Sequence, residues 1–172
     1  MDGGIVAETS IESAAFRSLL RQVPAAVAVI AAGPIGQRMG LTATAVCPLS
    51  DAPPTMLVCV NRSATAHDAI VRAGHFSVNM LALGQEDVGN RFAGRTGQRG
   101  EARFEGIAWT TLVSGAPILP GALAVMDCAL VEIKPVATHS VLIGRVLAGT
   151  MTPGASPLLY HDGDFLGLPS VV

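Results

Sequence analysis

Short apolar runs separated by turn residues dominate the hydrophobic pattern of the chain. Residues 25–32 form a run that ends at Gly33-Pro34, and residues 55–60 form another that follows Pro53-Pro54. Runs of this length between proline and glycine turns predict strands. The same pattern predicts strands at residues 39–49, 76–80, 108–113, 123–134, 140–148, 158–160 and 165–168, the last two joined by a tight turn at Asp162-Gly163.

Three segments have helical features instead. Residues 10–22 carry apolar side chains at near-helical spacing and end before Pro24. Thr65–Ala73 precedes Gly74, which suits the left-handed position that ends many helices, and Glu86–Phe92 resembles a further short helix. Because strands dominate the second half, we predict a mainly β fold with short helices. The strands are expected to form a closed barrel with the helices packed outside it.

Size and composition indicate one domain spanning residues 1–172, with residues 1–9 expected to be a flexible start. Half of the residues are hydrophobic but only 4% are aromatic, so the core must consist mainly of Ala, Val, Leu and Ile. The net charge of -2 argues against nucleic-acid binding. No apolar run is long enough to span a membrane and the N-terminus lacks a basic signal region, so we expect a cytoplasmic protein.

The cysteines and histidines do not predict a metal site. Cys47, Cys59 and Cys128 are odd in number and widely spaced, and we expect them to be small core residues. The four histidines lack ligand spacing, and the neighbours His67 and Asp68 are expected to point apart. No Rossmann or P-loop glycine pattern is present either, and residues 94–103, rich in Gly and Arg, are expected to be an exposed loop.

Four segments could carry chemistry, and each has a plain structural alternative. Residues 61–65 could bind a phosphate, or Ser63 or Thr65 could simply cap a helix. Residues 40–45 could lie against a planar heteroaromatic ring, or form a Thr-rich strand. His139 could reach out of a barrel mouth or be a surface residue, and the segment with Arg91, Phe92 and Arg95 could contact a nucleotide or be a solvated helix end.

The order of these segments resembles the short-chain flavin reductase family, the reductase components of two-component flavin-dependent monooxygenases. The resemblance runs from Phe16 to Leu168. It is carried by the segments Gly40-Leu41-Thr42-Ala43-Thr44-Ala45-Val46-Cys47-Pro48-Leu49-Ser50, Pro53-Pro54, Leu57-Val58-Cys59-Val60-Asn61-Arg62-Ser63, Phe76-Ser77-Val78-Asn79, Arg91-Phe92-Ala93-Gly94 and His139-Ser140-Val141-Leu142-Ile143-Gly144-Arg145-Val146. The family often has Gly-Asp where this chain has Ala137-Thr138 before the histidine.

The resemblance implies an FMN-binding split β-barrel. It places the flavin ring against Thr42, Ala43 and Thr44, and His139 beside the nicotinamide. We expect Tyr160, on the last hairpin, to assist His139 there. It also implies that the flavin site includes Cys59, Val60, Asn61, Ser63, Ala64, Thr65, Arg91 and Phe92.

The activity implied is that of an NAD(P)H:flavin oxidoreductase. Hydride would pass from NADH or NADPH to FMN or FAD, and a homodimer would supply reduced flavin to a partner monooxygenase. Three alternatives stay open: delivery of electrons to corrin cobalt or ferric iron, a non-catalytic flavin-binding protein, and a relative of pyridoxamine-phosphate oxidase.

Overall fold

A computed structural model describes residues 10–168. Its helices are α1 (Ser13–Arg21), α2 (Thr65–Ala73) and α3 (Glu86–Phe92), with a 3-10 helix at Gly100–Phe104. Its strands are β1 (Ala25–Ala26), β2 (Ala28–Ala32), β3 (Met39–Ala43), β4 (Val46–Asp51), β5 (Pro54–Asn61), β6 (His75–Met80), β7 (Thr110–Thr111), β8 (Pro117–Ile118), β9 (Ala124–Val136), β10 (His139–Met151), β11 (Leu158–His161) and β12 (Asp164–Gly167). The predicted mainly β fold with short helices is confirmed.

A seven-stranded antiparallel sheet forms the body of the fold, in the order β3-β2-β6-β9-β10-β5-β4. Its two edge strands, β3 and β4, are separated in sequence by only Thr44 and Ala45. Two residues bridge a short distance, so the sheet must curl until its edges meet at this corner. No β3–β4 pairing occurs within residues 10–168, so the barrel is split rather than closed.

The inner face of this sheet encloses the core. The inner cluster includes Ile30, Val58, Phe76 and Leu142, with Ile70 of α2 packed among them. An outer cluster on the opposite face joins Val29, Leu81, Phe92, Phe104, Ile118 and Leu158. Alternate residues of β2 enter the two clusters, which explains why this strand is buried on both faces and reads as a continuous apolar run.

Local signals located several elements well. α2 and α3 have the predicted bounds, and Gly74 ends α2 in the left-handed region at φ 69°. Asp162 and Gly163 form the turn between β11 and β12, which belong with β1 to a second, three-stranded sheet. These elements depend on turn and cap residues that act over a few positions.

Other predictions were wrong. The single strand expected at residues 39–49 is two strands at opposite sheet edges, and the run at 25–32 is divided at Val27, whose N–H and C=O pair with Leu158 and Leu81. α1 begins at Ser13 and buries no residue. The strand expected at residues 108–113 is only β7. The flexible start expected at residues 1–9 lies outside the described part of the chain.

The cysteines differ from one another. Cys128 is fully buried, and burial together with the nearby charge of Asp127 raises the pKa of its thiol to about 12. Cys59 is partly buried, but Cys47 is exposed because β4 is an edge strand with little covering it. The core assignment was therefore right for Cys128 and wrong for Cys47.

Within residues 10–168, no helix is both long and apolar enough to cross a membrane.

Candidate functional site

A cavity of about 690 Å³ lies between β3, the start of α2, the end of α3 and the loop after α3. Binding sites for small molecules typically have volumes of this order. Its lining residues are Met39, Gly40, Leu41, Thr42, Ala64, Thr65, Ala66, Phe92, Ala93, Gly94, Gly97, Gln98, Arg99, Gly100 and Arg103. The cavity thus brings together Thr42, Ala64, Thr65 and Phe92 of the sequence-predicted site.

The β3 wall is smooth and firmly held. A Cβ added to Gly40 would lie 2.7 Å from Cε1 of Phe92, so the bare backbone lets this buried ring pack directly on the strand. Oγ1 of Thr42 donates a 2.7 Å hydrogen bond to the carbonyl oxygen of Gly89 in α3. The wall is therefore rigid and carries few projecting polar groups.

The start of α2 presents backbone N–H groups to the cavity. Oδ1 of Asn61 accepts hydrogen bonds from the N–H and the hydroxyl of Ser63, both at 2.9 Å, which shapes the turn before the helix. Ala64 is the N-cap, and no side chain caps the helix. The alternative that Ser63 or Thr65 is an ordinary cap is therefore wrong, and the N–H groups of Thr65 and Ala66 lack an acceptor within the helix.

The loop of residues 94–103 forms the opposite wall, not merely a solvated connection. Nη1 of Arg103 donates to the carbonyl oxygens of Gly40 at 3.0 Å and Phe92 at 3.2 Å. Burial, together with the nearby charge of Arg99, lowers the pKa of Arg103. Arg99 itself is exposed, and both arginines line the same cavity as the N-terminus of α2.

Sequence reasoning missed these two arginines as site residues. The signal was present, because Arg95, Arg99 and Arg103 alternate with Gly94, Gly97 and Gly100. A loop of that kind can bring cations close to a ligand, but Arg103 is held in part by Gly40, 63 positions earlier in the chain. Only the fold reveals which side of the loop faces the cavity.

Arg91 and Phe92 have structural roles. Nη1 of Arg91 donates to the carbonyl oxygen of Glu105 at 2.8 Å, which braces the following segment, and Arg91 does not line the cavity. The ring of Phe92 packs at 4.9 Å from Phe104 and 5.6 Å from Trp109, measured between centroids. Phe92 therefore supports the cavity from beneath β3.

Two smaller cavities continue the site along β3. One, of about 140 Å³, is lined by Thr42, Ala43, Thr44 and Tyr160 among others, and another, of about 450 Å³, shares Thr44 and Tyr160. Arg95 stands beside the first and places a nitrogen 3.3 Å from the hydroxyl of Tyr160. The shared lining residues make one trough that runs along β3 toward α1.

The remaining predicted residues do not line the trough. Val60 is fully buried in the inner cluster, and the N–H of Cys59 donates to the carbonyl oxygen of Ala45 at 3.0 Å. His139 is exposed at the start of β10, directly opposite Asn61 on β5, with Nδ1 2.9 Å from the hydroxyl oxygen of Thr138.

His67 and Asp68 do not point apart as expected. Nδ1 of His67 lies 3.1 Å from Oδ1 of Asp68, and its Nε2 lies 3.0 Å from Oγ of Ser140. Between residues 10 and 168, no three His, Cys, Asp or Glu side chains cluster as metal ligands would.

The donor set fits a ligand that combines a planar ring with a phosphate. Free N–H groups at the start of α2, with Arg99 and Arg103 opposite, provide for the phosphate. The flat wall around Gly40 provides for the ring. The open trough leaves room for a second, extended molecule.

Comparisons with known proteins agree with this geometry. Residues 20–169 match the model of the flavin reductase like domain. FMN reductase (NADH) RutF 2 of Methylorubrum extorquens strain PA1 is 41% identical over 160 residues, which cover 93% of this chain and 92% of that protein.

Two solved structures are similar as well. NADH:FAD oxidoreductase SgcE6 of Streptomyces globisporus C-1027 has a TM-score of 0.86 at 28% identity, over 95% of this chain and 99% of the other, and it has also been solved with NAD and FAD fragments. BorF, the flavin reductase component of a bacterial two-component tryptophan halogenase, has a TM-score of 0.85 at 32% identity, over 93% of this chain and 100% of the other.

Proposed function

The chain belongs to the flavin reductase like domain family, and from that premise we propose that it is an NADH-dependent flavin reductase. The observation that carries the proposal is the 690 Å³ cavity, where the flat β3 wall meets the N-terminus of α2 and two arginines. A planar ring that ends in a phosphate is the ligand that this combination favours. The names of similar proteins include both FMN and FAD, so either flavin is a candidate.

NADH supplies a hydride and the flavin ring accepts it, so the chemistry needs no protein nucleophile. The task of the protein is to hold two ring systems in close contact and in the right orientation. We assign the flat support to Thr42, Ala43 and Thr44, and the phosphate to the N–H groups of Thr65 and Ala66 with Arg99 opposite. Asn61 and Ser63 shape that turn through their mutual hydrogen bonds.

We assign the nicotinamide to the open side of the trough, near Tyr160 and His139. Tyr160 borders both smaller cavities. His139 is exposed at the start of β10 and lies opposite Asn61 of β5, at the turn that precedes α2. His139 would be a binding residue, since its exposed position suits contact with a co-substrate that enters and leaves. NADPH remains an alternative to NADH, so the choice of nicotinamide is part of the test below.

Reduced flavin would be passed to a partner oxygenase. The proposal is supported by similarity to BorF, which is named as the reductase component of a two-component halogenase. We also propose that the protein is a homodimer. Leu19 and Leu20 of α1 are more than half exposed and Phe16 is half exposed, which is costly for a monomer in water.

The test is oxidation of NADH by the purified protein under anaerobic conditions with FMN or FAD present. We expect loss of the nicotinamide absorbance together with bleaching of the flavin, and the relative rates with FMN, FAD, NADH and NADPH will rank the substrates. A protein that binds flavin but leaves it oxidised with both nicotinamides would contradict the reductase and support a non-catalytic flavin-binding protein. His139→Ala should raise the KM for NADH more than the KM for flavin.

A further inference from the structure

His67 forms a hydrogen-bond chain that joins the first turn of α2 to the sheet. Its Nδ1 lies 3.1 Å from a carboxylate oxygen of Asp68, and its Nε2 lies 3.0 Å from the hydroxyl of Ser140. A carboxylate only accepts hydrogen bonds, so Nδ1 carries the hydrogen of the neutral ring. Nε2 then accepts the hydroxyl hydrogen of Ser140.

Ser140 anchors this chain of hydrogen bonds to the sheet. It is only 1% exposed, lies on the inner face of β10 and follows His139 directly. His67 is the partner of its hydroxyl among the described residues. A buried hydroxyl without a partner is unfavourable, so the sheet end and the ring of His67 hold each other in place.

A second link ties the same two parts together. The N–H of Arg62 donates to the carbonyl oxygen of Thr138 at 3.0 Å, and Nη2 of Arg62 donates to that of Ala137 at 2.6 Å. Residues 137 and 138 form the turn between β9 and β10. Arg62 lies before the turn at Ser63 and His67 lies after it, and both bond to the hairpin of β9 and β10. The start of α2 is therefore held to the hairpin that carries His139.

We infer that His67 is a positioning residue for the flavin phosphate, an inference that rests on the proposed function. His67 does not line the cavity, but the neighbouring Thr65 and Ala66 do. By fixing the first turn of α2 to Ser140, His67 sets where the N–H groups of Thr65 and Ala66 stand relative to β3 and His139. It acts on the phosphate through the helix and not by contact.

Two flavins separate this role from a general effect on folding. Riboflavin has the ring system of FMN without the phosphate, so a displaced helix start should weaken FMN binding and spare riboflavin. His67→Asn can still reach Asp68 but is too short to reach Ser140, whereas His67→Gln can place an oxygen near the position of Nε2. We expect the Kd for FMN to rise about tenfold in His67→Asn, as for one lost hydrogen bond, and to stay near the native value in His67→Gln.

Further variants sharpen the test. Ser140→Ala should reproduce the loss seen in His67→Asn, and the double variant should lose little more, because both changes remove one link. Arg72→Ala, at the exposed end of the same helix, serves as the matched control and should bind both flavins normally. At saturating FMN the kcat of His67→Asn should be unchanged while its KM for FMN rises.

The measured affinities distinguish the positioning role of His67 from the proposed reductase function. An equal loss of FMN and riboflavin affinity, or an unchanged FMN affinity in folded His67→Asn, would overturn the positioning role and leave the reductase standing. A wild-type protein that binds neither flavin would overturn the proposed function and with it this inference. Melting temperatures of all variants identify any that lose flavin only because they unfold.

Discussion

Arg99 is the residue whose charge should matter most to a phosphate at the start of α2. It lines the cavity and is exposed, whereas the nearby Arg103 donates hydrogen bonds to the carbonyl oxygens of Gly40, Phe92 and Gln98. Arg99 thus has its guanidinium available for a ligand anion. Because it is exposed, salt should weaken its contribution.

We therefore predict that Arg99→Ala lowers the affinity for FMN about fivefold at low salt, with no effect on riboflavin. The difference between variant and wild type should shrink as the salt concentration rises. Titration of flavin fluorescence at several salt concentrations measures both effects. Arg145→Ala, which removes the same charge from an exposed site on β10, should change neither flavin, and an equal loss there would show that only net charge matters.

At the scale of elements, the loop after α3 must be held in place to serve as a cavity wall. Glu101 accepts hydrogen bonds from Nε and from the N–H of Arg38, both at 2.7 Å, and a further one from Nη2. Burial alone would raise the pKa of Glu101, but these bonds from Arg38 outweigh it and the pKa is lowered. The tie between this loop and the turn before β3 is therefore strongest with the carboxylate ionised.

The sign of this shift fixes a pH dependence. A carboxyl whose pKa is lower in the folded state stabilises the fold above its unfolded pKa, near 4.5, and loses that contribution as the pH falls through the folded value. We predict that Glu101→Gln costs about 1 kcal/mol of unfolding free energy at neutral pH and progressively less below pH 4.5. Urea denaturation of both proteins across this range measures it, and a cost that grows on acidification would refute the role of the ion pair.

At the scale of the whole molecule, the sequence predicted what depends on local signals. α2, α3, the left-handed Gly74 and the Asp162-Gly163 turn were all located from nearby residues. The apolar pattern does not break at Thr44 and Ala45, so the passage of the chain from one sheet edge to the other was invisible. Only the pairing of β3 with β2 and of β4 with β5 reveals it.

The candidate site was predicted to the same extent. Small and hydroxyl residues form recognisable patterns at residues 42–44 and 61–65, and the structure brings Thr42, Ala64 and Thr65 of these segments to one cavity. The contact of Arg103 with Gly40 and the link from His67 to Ser140 were missed, because the two residues of each pair are 63 and 73 positions apart in the chain. Contacts of that kind follow from topology and not from any local pattern.

The proposed homodimer is a prediction about the whole molecule. α1 buries none of its residues within the chain, and Phe16, Leu19 and Leu20 are each at least half exposed. Covering apolar surface of this kind releases free energy in proportion to its area, so a second copy of the chain would stabilise the protein. We expect sedimentation velocity to show a dimer at micromolar concentration. Since association stabilises only the folded state, the melting temperature should also rise with protein concentration, whereas a monomer with a constant melting temperature would contradict the dimer.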